Sequence, residues 1–272
     1  MAFVGEPPFE LPDADEVHIS VAFTWDRLYA EHLRRQWANY FDIVVVGGPA
    51  QGDPGGNFKV GRYLRPGYTI TSRGCPNRCG FCLAWRREGS LRTLPIQPGH
   101  IILDNNLLAC PRSHIEAVLN MVSHQRCGAE FTGGLEAARV EPWFVKAVTE
   151  IGFKRAYFAY DRPSERKAVG DALRLFIGAL PHIKCAHSKL SVYVLVGYDG
   201  DTIAAASERC QFVKDSGGVA YPMLFCQEDS SKRNNSPEWR DFVGRLLSRP
   251  GNMRAKEPDS QRGLFADKEI DD

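Results

Sequence analysis

The sequence predicts an α/β chain: a partial (β/α)6 TIM-like barrel preceded by a small β-α-β unit. Three observations carry that expectation. From Tyr68 onward, short apolar runs rich in β-branched residues alternate with amphipathic stretches, the pattern of a parallel sheet with crossover helices. Ahead of them, two such runs flank one helical stretch within the first ~50 residues, the size of one β-α-β unit. The length of 272 residues suits one large domain with a small extension.

The elements follow in order. Residues 1 to about 16 are rich in proline and acid and read as an irregular arm. Val17–Phe23 reads as a strand, and Tyr29, Leu33, Trp37 and Tyr40 mark a helix with those residues near one face. Ile43–Val46 is a continuous apolar run ended by Gly47-Gly48-Pro49, as in a buried parallel strand. This unit is too short for a full dinucleotide-binding domain. The glycine- and proline-rich stretch Ala50–Pro66 links it to the rest.

Candidate barrel strands are Tyr68–Thr71, Ile101–Leu103, Glu130–Thr132, Ala156–Ala159, Val192–Val196 and Ala220–Phe225. Between them, Ile115, Val118, Leu119 and Val122 fall on one helix face, and Ser113-x-x-Glu116 predicts a capping box. Val169, Leu173, Phe176 and Leu180 repeat the spacing, as do Ile203, Ala206, Cys210 and Val213. Pro237 opens a last helix carrying Trp239, Phe242, Val243 and Leu246. These stripes are core-packing signals. The expected division is 1–66 for the arm and unit, 67–249 for the barrel and 250–272 for a polar tail. Ligands of such a sheet gather at the C-terminal ends of its strands.

Composition narrows the function classes. A formal net charge of +1 favours neither nucleic acid nor an anionic membrane. Only the local run Arg240, Arg245, Arg249 and Arg254 leaves a phosphate contact open; as a solvated helix face it has the simpler explanation. The first residues lack a basic segment followed by an apolar run, and no stretch approaches the roughly 20 apolar residues of a membrane span. Eight cysteines in such a chain predict reduced thiols or metal ligands in the cytoplasm.

Three of those cysteines carry the chemistry. Gly74-Cys75-Pro76-Asn77-Arg78-Cys79-Gly80-Phe81-Cys82 follows the first barrel strand with C-x3-C-x2-C spacing. Thiolates are the usual ligands of iron–sulfur clusters, and three of them hold three irons of a cubane while leaving the fourth open. A structural zinc site would want a fourth Cys or His, and none lies close in sequence; His100 and Cys110 are the nearest downstream.

C-x3-C-x-aromatic-C at the end of a first strand resembles the signature of the radical S-adenosylmethionine superfamily. The likeness covers roughly Tyr68 to Cys226, the length of that family's partial barrel. It implies a [4Fe–4S] cluster on Cys75, Cys79 and Cys82, with S-adenosyl-L-methionine chelated by the open iron. Reductive cleavage of that cofactor would yield a 5′-deoxyadenosyl radical that abstracts hydrogen from a substrate the sequence does not name. An external electron donor, flavodoxin- or ferredoxin-like, is implied as the partner.

Other positions match the family in part. Phe81 corresponds to its adenine-side aromatic. Gly133-Gly134-Leu135-Glu136 resembles its Gly-Gly-Glu motif with a leucine inserted, so the methionine ammonium falls to Glu136 or to the Gly133 and Gly134 carbonyls. Gly197-Tyr198-Asp199-Gly200-Asp201-Thr202 is similar to the Gly-x-Pro-Gly-Glu-Thr turn of the branch with methylthiotransferases and cobalamin-dependent members. There Gly197 ends the strand that lines the adenine pocket, and the turn caps a helix. Asp161 and Asp104-Asn105-Asn106 follow strands and stand where cofactor or substrate would be met, or in plain surface turns. Cys226, at the end of the sixth strand, is the candidate for a functional extra thiol. The accessory signatures of that branch are missing: no D-x-H-x-x-G cobalamin pattern and no cysteine before Cys75. The alternative is an iron–sulfur or zinc protein acting in electron transfer or scaffolding.

Overall fold

The computed structural model describes residues 5–52, 64–180, 188–226 and 236–247. The irregular N-terminal arm leads into β1 (Val17–Ser20), helix α1 (Arg27–Trp37) and β2 (Val44–Gly47), with β1 and β2 paired in parallel. Val21, Ala30 and Ala50 form the unit's own small core, packed by Ile19 and Val46. The face of α1 carrying Ala30, Leu33 and Trp37 is buried, and Arg34 and Arg35 sit in its last turn, where cations complement the helix dipole. Tyr29 and Tyr40 depart from the expected stripe: both are exposed, and Tyr40 lies beyond the helix end. The Arg27 guanidinium donates to the Ala50 carbonyl. The Trp37 indole N–H reaches the Gly5 carbonyl at 3.3 Å and ties down the arm.

Six strands make the main sheet: β3 (Tyr68–Thr69), β6 (Ile101–Ile102), β7 (Ala129–Leu135), β8 (Phe153–Tyr160), β9 (Leu190–Val196) and β10 (Val219–Leu224). Their spatial order follows the chain, and every neighbouring pair is parallel. All C-terminal strand ends therefore lie along one edge. Each return needs a crossover, and crossovers of one hand put the helices on one face. The helices are α3 (Arg112–Ser123), α4 (Pro142–Ile151), α5 (Arg166–Ala179), α6 (Ile203–Asp215) and α7 (Pro237–Leu247), with the single-turn α2 (Ala84–Arg87) after the cysteine motif.

Strand alternation builds the core. In β9 the side chains of Leu190, Val192, Val194 and Val196 are fully buried and join the helices in one hydrophobic cluster. Phe176 of α5 meets Phe144, Phe153 and Phe158 edge-on, with centroids 5.4–6.4 Å apart. Such ring pairs add to the roughly 1.5–3 kcal/mol that full burial of a large apolar side chain contributes. The alternate residues face the other way. There the Tyr157 and Tyr193 rings stack at 4.7 Å, and Tyr221 meets Tyr193 edge-on at 5.8 Å. The Tyr193 hydroxyl donates to the Thr132 carbonyl, and burial pushes its phenol far above the usual range.

Two local expectations change. Helix α3 starts at Arg112 with Pro111 as its N-cap, so Ser113 lies inside the helix and the expected capping box does not form; Glu116 pairs with Arg112 instead, at 2.8 Å. Proline favours the entry to a first helical turn, which brings the start forward of the serine. The first strand of the main sheet is also shorter than the expected Tyr68–Thr71. The strand stops after Thr69, and the chain becomes extended again in β4 (Ser72–Arg73), paired antiparallel with β5 (Arg92–Thr93).

Candidate cofactor-binding site

The β4/β5 ribbon pinches the chain at both ends of residues 74–91, the segment that contains the three cysteines. Gly74 sits at the neck with φ +82°, and a Cβ there would lie 2.4 Å from the Ser90 carbonyl oxygen. Only glycine passes at that point. Glu88, nearly buried, spans the ribbon from the inside, 3.3 Å from Arg73 and 3.8 Å from Arg92. Further along, the Cys82 N–H closes a turn onto the Cys79 carbonyl, which also accepts the Trp85 indole N–H at 2.9 Å.

Residues 104–106, just past β6, fasten the start of this loop one residue at a time. The buried Asp104 carboxylate accepts from the Thr71 N–H and hydroxyl, both at 2.6 Å, and from the Ser72 hydroxyl at 2.8 Å. Asn105 accepts the Gly74 N–H at 3.0 Å. Asn106 donates through Nδ2 to Cys75 Sγ at 3.5 Å and to Glu136 Oε2 at 2.6 Å. Arg139 adds a second donor to the same Glu136 oxygen at 2.7 Å. One amide thus separates the displaced acid of the Gly-Gly-Leu-Glu segment from a candidate cluster ligand. Asn106 Oδ1 is buried and has no hydrogen-bond partner among the described residues; an unsatisfied buried acceptor costs about 1–3 kcal/mol.

The two glycines before Glu136 have different physical reasons. A Cβ on Gly133 would fall 2.1 Å from the Asp104 carbonyl oxygen, so its bare backbone is what lets β7 lie against the 104–106 segment. Gly134 has open space, its nearest neighbour being Tyr193 Cδ2 at 3.9 Å, but a φ of +91°. Gly197 joins both conditions: φ +74°, and Leu224 only 3.0 Å from an added Cβ. Its N–H donates to Asp201, whose carboxylate is clamped by Arg209 at 2.7 Å, and Thr202 caps α6 through the Ala205 N–H. The turn-and-cap role expected of this segment is present.

Aromatic rings link the loop to the far strands. Phe81 meets Tyr198 edge-on at 5.5 Å, Tyr198 meets Phe225 at 4.8 Å, and the Arg162 guanidinium lies 5.6 Å from the Phe81 centroid. Burial pushes the Cys79 and Cys82 thiols up; Arg162 eases Cys79, while Asp161 and the neighbouring cysteines of the motif raise both further. Asp161 itself is pushed up to about 7, chiefly by burial and then by Glu165, against the pull of Arg162.

Among the described residues, no three His, Cys, Asp or Glu side chains already converge as a metal-ligand group. The donor chemistry nevertheless fits a cationic cluster core. The three thiols share one pinched loop, each is partly buried, and Cys75 lies close enough to both Cys79 and Cys82 to raise their proton affinity. A bound cation relieves that repulsion.

Of the other cysteines, Cys110 and Cys210 are buried, Cys127 is exposed, and Cys226 directs its thiol to the Leu224 carbonyl at 3.7 Å; Cys185 lies outside the described residues. Arg240 and Arg245 are on α7, where Arg245 pairs with Asp241, and Arg249 and Arg254 lie outside the described residues. A cavity of about 470 Å³ opens between α4 and α5, lined by Val145, Thr149, Leu175 and Gly178, in the helix layer and not at the strand ends. Nothing in the local sequence marks Trp85, Arg139 or Arg162. Tyr198 is detectable as the first residue past a strand-ending glycine, at the C-terminal edge of the sheet. The chain matches no protein-family model and no curated protein.

Proposed function

We propose that the six-stranded sheet is the wall of a partial (β/α)6 barrel and that the chain is a radical S-adenosylmethionine enzyme. In this reading Cys75, Cys79 and Cys82 hold a [4Fe–4S] cluster, with S-adenosyl-L-methionine beside it. The observation that carries it is convergence: residues past three separate strand ends, Asn106, Arg162 and Tyr198, reach the loop of the three cysteines through a hydrogen bond or ring contacts, and Glu136, past a fourth, is joined to Asn106. A parallel sheet collects ligand groups on that edge. When bound, the cluster and cofactor would supply the one-electron, hydrogen-abstracting chemistry. The chain's own residues bind and orient. Glu136 and the carbonyls of Gly133 and Gly134 take the methionine ammonium. Phe81, with Tyr198 behind it and the Gly197 turn beside it, offers an apolar edge to adenine. A cytoplasmic donor of the flavodoxin or ferredoxin type delivers the electron.

The test is anaerobic reconstitution followed by dithionite reduction with S-adenosylmethionine. About four irons per chain are expected, from one cubane, together with 5′-deoxyadenosine and methionine. Replacing any one of Cys75, Cys79 or Cys82 by Ala is expected to remove both the iron and the products. A full cluster that yields neither product, and whose spectrum ignores the cofactor, would assign the chain to electron transfer instead.

A further inference from the structure

We infer that Asn106 is a positioning residue that sets the reduction potential of the cluster through a hydrogen bond to Cys75; the inference rests on the cluster assignment above. Asn106 is 4% exposed and stands at the N-cap of the short 3-10 turn Leu107–Ala109, yet its side chain makes no cap hydrogen bond. Asparagine in that place ordinarily spends its side chain on the local backbone. Here both amide hydrogens are committed elsewhere, one to Cys75 Sγ at 3.5 Å and one to Glu136 Oε2 at 2.6 Å. The opposite amide orientation would set Oδ1 against the Glu136 carboxylate, acceptor to acceptor, so the donor faces the sulfur.

The loop's other anchors leave this one distinct. Asp104 and Asn105 already fix Thr71, Ser72 and Gly74 through the backbone and hydroxyls. Asn106 adds no backbone bond to the loop; its contact is with the ligand sulfur itself. A donor to a cluster thiolate favours the reduced, more negative cluster and raises its potential. The Glu136 carboxylate holds the amide in the orientation that presents this donor. The displaced acid therefore serves two groups, the cofactor's ammonium and the amide that tunes the cluster.

The experiment is a reductive titration of cluster-loaded wild-type protein, Asn106→Leu and Asn106→Ala, reading the electron paramagnetic resonance signal of the reduced cluster. Leu keeps the side chain's size without its donor; Ala removes both and cannot overpack the site. Both variants are expected to keep their iron and to titrate at a more negative midpoint than wild type. An unchanged midpoint in a variant with a full cluster overturns the role of Asn106 and leaves the cluster assignment standing. Loss of iron from both variants with unaltered circular dichroism also overturns it, because Asn106 would then serve assembly and not tuning. A wild-type chain that takes up no iron overturns the cluster assignment and this inference together.

Discussion

Asp161 is a carboxyl that the fold holds against its ionisation, and its pKa of about 7 compares with 3.8 for an ordinary aspartate. The folded state thus binds this proton more tightly than the unfolded state. Its stabilising contribution is complete below about 3.8 and is lost as pH rises through about 7. In the cluster-free chain, Asp161→Asn is expected to unfold at higher urea than wild type near about pH 8 and at nearly the same urea near about pH 4, since wild type loses its stabilisation between those pH values and the uncharged amide does not. A gap that widens towards acid would refute the assignment. Gly133 makes a steric case. The Asp104 carbonyl 2.1 Å from its virtual Cβ is backbone and cannot swing away. Gly133→Ala is expected to destabilise the fold by about 1–3 kcal/mol, the range for overpacking, measured as a lower urea midpoint. The glycine pair was legible in the sequence as a likeness to a cofactor motif. That one of the two is required by β7 packing on residues 104–106 was not, because a close backbone approach leaves no compositional trace.

At the scale of elements, the ribbon of β4 and β5 is what turns a cysteine spacing into a bounded loop. Each strand has two residues, too few for any periodicity to register. Its stability rests on tertiary partners: Asp104 on one side, and Glu88 between Arg73 and Arg92 on the other. Removing one member of a buried ion pair leaves the other charge unsatisfied, at a cost of about 3–5 kcal/mol. Arg92 is partly exposed, so the lower end applies here. Glu88→Ala is expected to open the base of the loop. Limited proteolysis would read this as faster cleavage within residues 74–91 while the six-stranded sheet stays intact. The longer elements were legible. β9 and α5 carry stripes of apolar residues, and the structure buries Leu190, Val192, Val194 and Val196 of the one and Val169, Leu173 and Phe176 of the other, while Leu180 falls past the end of α5 and is half-buried.

Across the whole molecule, stability is distributed unevenly. The N-terminal unit has one pair of strands and a core of Val21, Ala30 and Ala50, whereas the main sheet shares one cluster with five helices. Regions with few buried apolar contacts open locally at lower free energy. In amide exchange, Val44–Gly47 is expected to lose protection well before Phe153–Tyr160 and Leu190–Val196. Equal protection in the two regions would show that they open as one cooperative unit.

The sequence by itself determined the order and type of the long elements, because helix and strand periodicities act over a few neighbouring residues and are written in the apolar pattern. It also determined the donor set of the candidate site, since C-x3-C-x2-C places three thiols on one short loop whatever surrounds them. The tertiary structure alone decided what those thiols meet. Asn106 and Cys75 are 31 positions apart, Asn106 and Glu136 are 30, and Tyr193 and the Thr132 carbonyl are 61. Such contacts exist only once β6, β7 and β9 stand in sequential order with their C-terminal ends on one edge. Local preference has no reach over those distances; strand order and the packing of one backbone on another supply it.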